Sequence, residues 1–207
     1  MKNNKIYFYP TDTVWGIGGS IFSEGVYKTI ASVKKTSTQK PVSILFGSLL
    51  QINDYFDLPA WPTEEVLQKL FNLESTICIP VQALKRPIPP WITQEGSWVG
   101  IRCLSYPWIQ AMTEECEGPV ITTSLNLHHH PPILDFHNAL EFAHSLTDQR
   151  IFFPPGDIQN FVCSGASSTM IQFNVPELGK WKIIRPGKQL EAIENVLRLH
   201  PAPFVSI

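Results

Sequence analysis

The sequence predicts an α/β fold in which a strand-borne loop supports a small-molecule site, and three observations carry that prediction. A short apolar run at residues 5–9 leads into the unusual stretch Tyr9-Pro10-Thr11-Asp12-Thr13-Val14-Trp15-Gly16-Ile17-Gly18-Gly19, after which Val26, Ile30 and Val33 recur at helical spacing. Runs of β-rich and helical pattern then follow one another along the chain. Finally, 207 residues that are 43% hydrophobic and 16% charged, with no linker-like tract between them, are enough for one substantial core.

The opening stretch reads as a strand, loop, helix unit. Pro10 has no N–H to continue a ladder, so the chain is expected to turn out there. Ser23 is the expected N-cap of the helix, with Glu24 in its first turn. The loop carries two threonine hydroxyls and a carboxylate at the carboxyl end of a strand, where open α/β sheets place ligands. Gly16, Gly18 and Gly19 would let backbone N–H groups approach an anion or a flat ligand. They do not form a dinucleotide fingerprint, because Ile21 stands where the third glycine is needed, and no Walker lysine follows. A tight turn capped by Thr and Asp is the competing reading of the same residues.

Further along, Lys34 and Lys35 close the first helix and Lys40-Pro41 precedes a strand at residues 42–46. Lysines at a helix C-terminus also complement the macrodipole without any ligand. Pro62-Thr63 starts a helix with Val66, Leu67, Leu70 and Phe71 as its apolar stripe, and residues 75–81 form a β-rich run. Residues 85–90 are a stiff basic loop. The run 98–102 reads as a strand ending in Arg102, a cation that needs a partner. Pro107 suits the first turn of a helix reaching about Cys116. Residues 119–126 begin as an apolar strand and end in Thr122, Thr123, Ser124 and Asn126, the same grammar as the opening stretch and a second ligand loop. Asp135 caps a helix that faces the core through Phe136, Ala139, Leu140, Ala143 and Leu146, and residues 151–153 form a short strand. A small-residue loop at 164–169 leads into a strand at 170–173. A last strand at 181–185 stops at Pro186-Gly187, and Leu190, Ile193, Val196 and Leu197 predict a terminal amphipathic helix.

Composition excludes several classes. No window approaches a transmembrane span, and residues 1–4 lead into a strand without a secretory apolar region, so a cytoplasmic, non-membrane protein is expected. Cys78, Cys103, Cys116 and Cys163 are widely spaced and read as reduced core cysteines. A net charge of −2 argues against electrostatically driven nucleic-acid binding, leaving a local basic face open. His128-His129-His130 lacks accompanying ligand spacing, and no protein metal site is expected.

Taken in order, Pro10 to Gly16, Lys34 with Lys40-Pro41, Val99-Gly100-Ile101-Arg102, Thr123-Ser124-Leu125-Asn126, Ser168-Thr169 and Arg185-Pro186-Gly187 resemble the YrdC-like threonylcarbamoyl-adenylate synthases. The resemblance covers residues 1–187 as the catalytic domain and leaves 188–207 as a helix and tail, too short for the extra C-terminal domain of larger relatives. It implies a three-layer α/β fold whose twisted mixed sheet encloses a concave, positively lined cavity. It also implies a nucleotidyltransferase reaction in which L-threonine, bicarbonate or CO2, and ATP give threonylcarbamoyl-AMP and pyrophosphate. A partner transferase would then pass the group to tRNA, with a weak tRNA contact by this chain. By resemblance, Thr13, Trp15, Arg102, Thr122 and Ser168 bind threonine. Lys34, Lys40, Ser124, Asn126 and Arg185 bind ATP, whose phosphates carry Mg2+. Lys34, Lys35, Ser124 and Asn126 form the catalytic set.

The chain also departs from that pattern. Thr36 stands where the family has an arginine, and Lys35 is expected to compensate. Trp15 replaces a frequent tyrosine, Leu45 a histidine near the threonine site, and His128-His129 a Ser-Gly pair. Phe71-Asn72-Leu73-Glu74 replaces a Trp-Pro-Gly-Pro run. These departures keep two alternatives open: a non-catalytic paralogue that binds nucleotide or RNA, and a carbamoyl-adenylate enzyme with another acceptor.

Overall fold

A computed structural model describes residues 4–58, 62–173 and 180–201. The expectations for residues 1–3 and for the tail at 202–207 lie outside these. Among the described residues nine strands form one mixed sheet: β1 (Ile6–Pro10), β2 (Trp15–Ser20), β3 (Ser43–Phe46), β4 (Ser75–Pro80), β5 (Trp98–Cys103), β6 (Val120–Ser124), β7 (Ile151–Phe152), β8 (Thr169–Phe173) and β9 (Trp181–Arg185). Their spatial order is β7-β1-β2-β6-β3-β5-β4-β8-β9. The pairs β1/β7, β3/β5 and β4/β8 are parallel and the others antiparallel. The helices are α1 (Glu24–Val33), α2 (Leu49–Tyr55), α3 (Glu64–Phe71), α4 (Pro90–Thr93), α5 (Pro107–Glu115), α6 (Phe136–His144) and α7 (Leu190–Leu199).

Local chemistry explains the helix starts. Ser23, Ser48, Thr63 and Asp135 each accept a backbone N–H from three residues on, satisfying a donor that the first turn leaves unpaired. Pro107 sits in the first turn of α5, where its missing N–H costs nothing. The helix α2 was not predicted, because seven residues with only Ile52 and Tyr55 buried give no readable period.

The opening unit differs from the predicted strand, loop, helix. Residues 15–20 are not loop but strand β2, paired antiparallel with β1 down to Pro10 opposite Trp15. The true loop is the four-residue turn 11–14. The glycines of β2 therefore serve the sheet. A Cβ on Gly18 would stand 2.0 Å from the Ile121 carbonyl oxygen, and one on Gly16 would stand 2.9 Å from the Tyr9 ring. Close approach of neighbouring chain, not of a ligand backbone contact, is what requires glycine there.

Register divides the sheet into two unlike faces. Ile121, Ile44, Ile101, Ile77, Ile171 and Ile183 are successive partners across six strands, so their side chains share one face. The first five are fully buried. Phe8 meets Phe142 of α6 and Trp15 meets Phe136 on this side, and α3 supplies Leu67 beside Ile77 and Ile79. Buried Ile193 and Leu197 bring α7 into the same core against α3. On the other face α5 covers one part, through Glu115 accepting from the Tyr7 hydroxyl at 2.6 Å and through Thr113 packed against Gly47. The remainder of that face carries Gly16, Ser43, Thr76, Arg102, Thr122 and Ser124, and stays open as a cavity.

Candidate active site

The turn between β1 and β2 is held by Thr11, whose hydroxyl accepts the N–H groups of Thr13 and Val14 and donates to the Val14 carbonyl at 2.6 Å. With that proton committed, the Thr13 hydroxyl donates to Thr11 Oγ1 at 2.8 Å and accepts from Arg102 Nη1 at 3.1 Å. The two readings of this stretch, capped turn and ligand site, describe the same atoms. Asp12 is the partner that Arg102 needs, with Nη2 to Oδ1 at 2.5 Å. Arg102 is only 7% exposed, and its bonds to Thr13 from Nη1 and to Asp12 from Nη2 use two of its five N–H groups, so the guanidinium retains donors for a bound anion.

Arg102 lies in a cavity of about 260 Å³ with Thr13, Thr122, Ser168 and Arg185. Arg185 donates to the Ser168 carbonyl at 3.0 Å and to its hydroxyl at 3.1 Å. Ser168 in turn meets Thr76 Oγ1 at 2.8 Å. Burial and the neighbouring Arg102 charge hold the Arg185 pKa below its ordinary value. Two guanidiniums this close, offset by one carboxylate, favour an anionic occupant. Tyr9 lies across Gly16 and donates to Thr122 Oγ1 at 2.9 Å, which leaves the Thr122 proton for a ligand.

A second cavity of about 220 Å³ shares Pro41, Val42, Thr123 and Ser124 with the first and is walled by Lys34, Lys40, Thr36, Asn126 and His128. Lys34 ends α1 and is 8% exposed. Its ammonium donates to the Ser124 carbonyl, to Asn126 Oδ1 at 2.7 Å and to the Asn126 carbonyl at 3.2 Å. Ser124 Oγ also donates to Asn126 Oδ1 at 2.7 Å. Burial pushes the Lys34 pKa down to about 8.

The structure thus gathers Lys34, Lys40, Ser124 and Asn126 around one cavity, and Thr13, Arg102, Thr122, Ser168 and Arg185 around the adjoining one. Arg185, expected beside ATP, stands with Arg102 and not with the lysines. Two predicted site residues lie outside both cavity walls. Trp15 is fully buried on the isoleucine side of the sheet, against Phe136 and Phe153, because its odd position in β2 points away from the cavity that Gly16 lines. Lys35 is exposed and absent from both cavity walls, since the chain leaves the helix there in a left-handed turn at φ 50°. Thr36 faces the second cavity instead. Ser43 and Thr76 join the cavity wall beyond the residues expected from sequence, and Tyr9 supports it. Cross-strand register places them, with Tyr9 opposite Gly16, Ser43 opposite Thr122 and Thr76 opposite Met170, and no local pattern in the sequence carries that register.

Among the described residues no three His, Cys, Asp or Glu side chains gather as metal ligands, and Asp12 is engaged by Arg102. The four cysteines are free thiols, and burial raises Cys78 and Cys163 to about 11 and Cys103 and Cys116 to about 12, which disfavours their thiolates at neutral pH. No helix among the described residues is long and apolar enough to cross a membrane.

Fold and site together define an α/β protein with a cationic double cavity, formed by one polar sheet face and the end of a helix. The chain belongs to the Sua5/YciO/YrdC family, whose model, described as telomere recombination, matches residues 1–187. Threonylcarbamoyl-AMP synthase of Acinetobacter baumannii strain ATCC 17978 is 26% identical over 159 residues, which is 74% of this chain and 77% of that protein. Among solved structures, P. abyssi Sua5 complexed with L-threonine shares the fold with a TM-score of 0.75 at 23% identity, over 94% of this chain and 54% of that one. The chain therefore spans about half of the length of that protein. E. coli YciO shares the fold with a TM-score of 0.65 at 17% identity, over 89% of this chain and 84% of that one.

Proposed function

We propose that this protein is an L-threonylcarbamoyladenylate synthase, a nucleotidyltransferase acting on L-threonine, bicarbonate or CO2, and ATP. The observation that carries the reading is the pair of joined cavities. One offers Arg102 with short hydroxyls and the other offers Lys34 and Lys40, and Ser124 lies in both walls. Family membership and the 26% identical synthase support it.

In this reading the threonine carboxylate takes the free donors of Arg102, and its amine and hydroxyl meet Thr13, Thr122 and Ser168. The amine lone pair attacks the carbon of CO2 and its proton leaves to solvent, giving a carbamate. A carbamate oxygen then attacks the α-phosphorus of ATP, and the bond to the β-phosphate oxygen breaks to release pyrophosphate. Lys34, Lys40, Ser124 and Asn126 hold the phosphates, and Arg185, reaching from the first cavity, offsets charge developing at the junction. Magnesium enters as part of the nucleotide substrate and screens its phosphates. No protein nucleophile is needed, so the residues work by positioning and charge stabilisation. The reading includes a cytoplasmic location, a downstream transferase that delivers the product to tRNA, and a weak tRNA contact.

Pyrophosphate release from ATP, measured with threonine and bicarbonate omitted in turn, tests this. Release requires both co-substrates if the carbamate must form first, and equal release without threonine rejects the synthase. The second reading, a paralogue that binds nucleotide without turnover, is favoured by Thr36 in the lysine cavity and by Lys35 lying outside it. It predicts ATP binding with no threonine-dependent release, recovered by Thr36→Arg.

A further inference from the structure

We propose that His128 is the third cation of the lysine cavity: neutral in the free protein, it takes up a proton when a nucleoside triphosphate enters and pairs with the phosphates in place of the missing positive charge at position 36. This deepens the synthase reading and rests on its assignment of the lysine cavity to the nucleotide.

His128 is built into the cavity by its backbone. Its N–H donates to the Lys34 carbonyl at 2.8 Å, which fixes it on the C-terminal end of α1. Asn126 Nδ2 donates to the His130 carbonyl at 2.6 Å and closes the loop around it. His129 adopts the left-handed conformation, at φ 67°, and its ring lies 3.8 Å from that of His128. The half-buried His128 ring therefore faces the same space as Lys34, Lys40 and Thr36.

Hydrogen-bond chemistry gives the protonation state of the free site. Lys40 Nζ stands 2.9 Å from His128 Nε2. An ammonium only donates, so Nε2 is the acceptor and the imidazole is neutral. The groups facing it are the cations Lys34 and Lys40 and the ring of His129, and among the described residues no carboxylate lines this cavity. Partial burial and these neighbours hold the His128 pKa below its ordinary value, while the helix C-terminus favours a cation. A triphosphate reverses the balance. Its charge draws Lys40 away as a partner, removes the repulsion and gives a protonated Nε2 a phosphate oxygen to bond. Lys35, on the outer side of the left-handed turn, cannot supply this charge.

The test is calorimetry of MgATP binding, without threonine or bicarbonate, in two buffers of different ionisation enthalpy at about pH 6.5, where Lys34 is already charged and an ordinary histidine is half-titrated. Comparing wild type with His128→Gln cancels protons exchanged by the nucleotide. Wild type should take up a substantial fraction of a proton more than the variant, and the variant should bind MgATP roughly tenfold or more weakly. Thr36→Arg in the His128→Gln background should restore affinity without restoring proton uptake, which a merely structural histidine would not allow. Independently of any variant's folding, the His128 ring resonances of wild type should titrate at higher pH with MgATP than without. Equal proton uptake in wild type and His128→Gln, or ring resonances unmoved by MgATP, overturns the inference and leaves the synthase reading standing. Failure of wild type to bind MgATP overturns both.

Discussion

The two faces of one sheet, built from alternate residues of the same strands, have opposite jobs. On one side Ile121, Ile44, Ile101, Ile77, Ile171 and Ile183 run in register across six strands beneath the helices. One residue away along the first five strands stand Thr122, Ser43, Arg102, Thr76 and Met170 around the cavity, and a register shift between Met170 and Ile171 brings Arg185, two residues beyond Ile183, opposite Met170 to join them. The first face stabilises by burial of apolar area. The second gives up that stabilisation to hold uncompensated charge. Shifting a strand by one residue would exchange the two, so the isoleucine row also fixes the register that aims Arg102 at its site.

The largest break in this contrast should come from the apolar side. Ile44→Ala, in the middle of the row and fully buried, should cost about 2–5 kcal/mol in denaturant unfolding. Threonine-dependent pyrophosphate release per folded molecule should change little. Arg102→Ala should do the reverse, weakening threonine binding in calorimetry by about 1.5–3 kcal/mol and ATP binding much less. If both ligands weaken equally while the protein loses stability, the pair with Asp12 is structural and the polar face carries fold as well as site.

Lys34 sharpens the comparison through pH. Its pKa is lowered by burial to about 8, so between about 8 and the ordinary lysine value the unfolded chain holds more protons than the folded one. The stability cost of burying this charge is present below pH 8 and relieved as pH rises through that window. ATP affinity should move the opposite way, falling as pH rises through about 8, and Lys34→Met should lower affinity and abolish that dependence. Affinity flat across this range in wild type would mean the ammonium is not facing phosphate. The smallest effect is expected at Lys35, outside both cavities: Lys35→Ala should change ATP binding by less than about 0.5 kcal/mol. A large loss there would restore the compensation that the sequence suggested.

Several features were legible without coordinates because they depend on near neighbours. Ser23, Thr63 and Asp135 cap helices through bonds spanning three residues, the end of β9 at Arg185 was readable from its apolar run, and the end of β5 was readable to within one residue of Cys103. The order of those endings also carried the family. Tertiary structure alone decided the facing of the opening stretch. Residues 15–20 became a strand because β1 and β6 pair with them on either side, and that pairing, invisible locally, turned Trp15 into core and made Gly16 and Gly18 a necessity of packing. It also decided which residue follows Lys34 into the cavity. Sequence neighbours differ by about 100° around a helix, but the left-handed turn at Lys35 resets the direction of the chain. Thr36 and the distant His128 therefore meet at a wall that Lys35 does not reach. Local bonding determines where elements begin and end, whereas the side a residue faces depends on partners far along the chain, such as Ser124, 90 residues from Lys34, and Thr122, 113 residues from Tyr9.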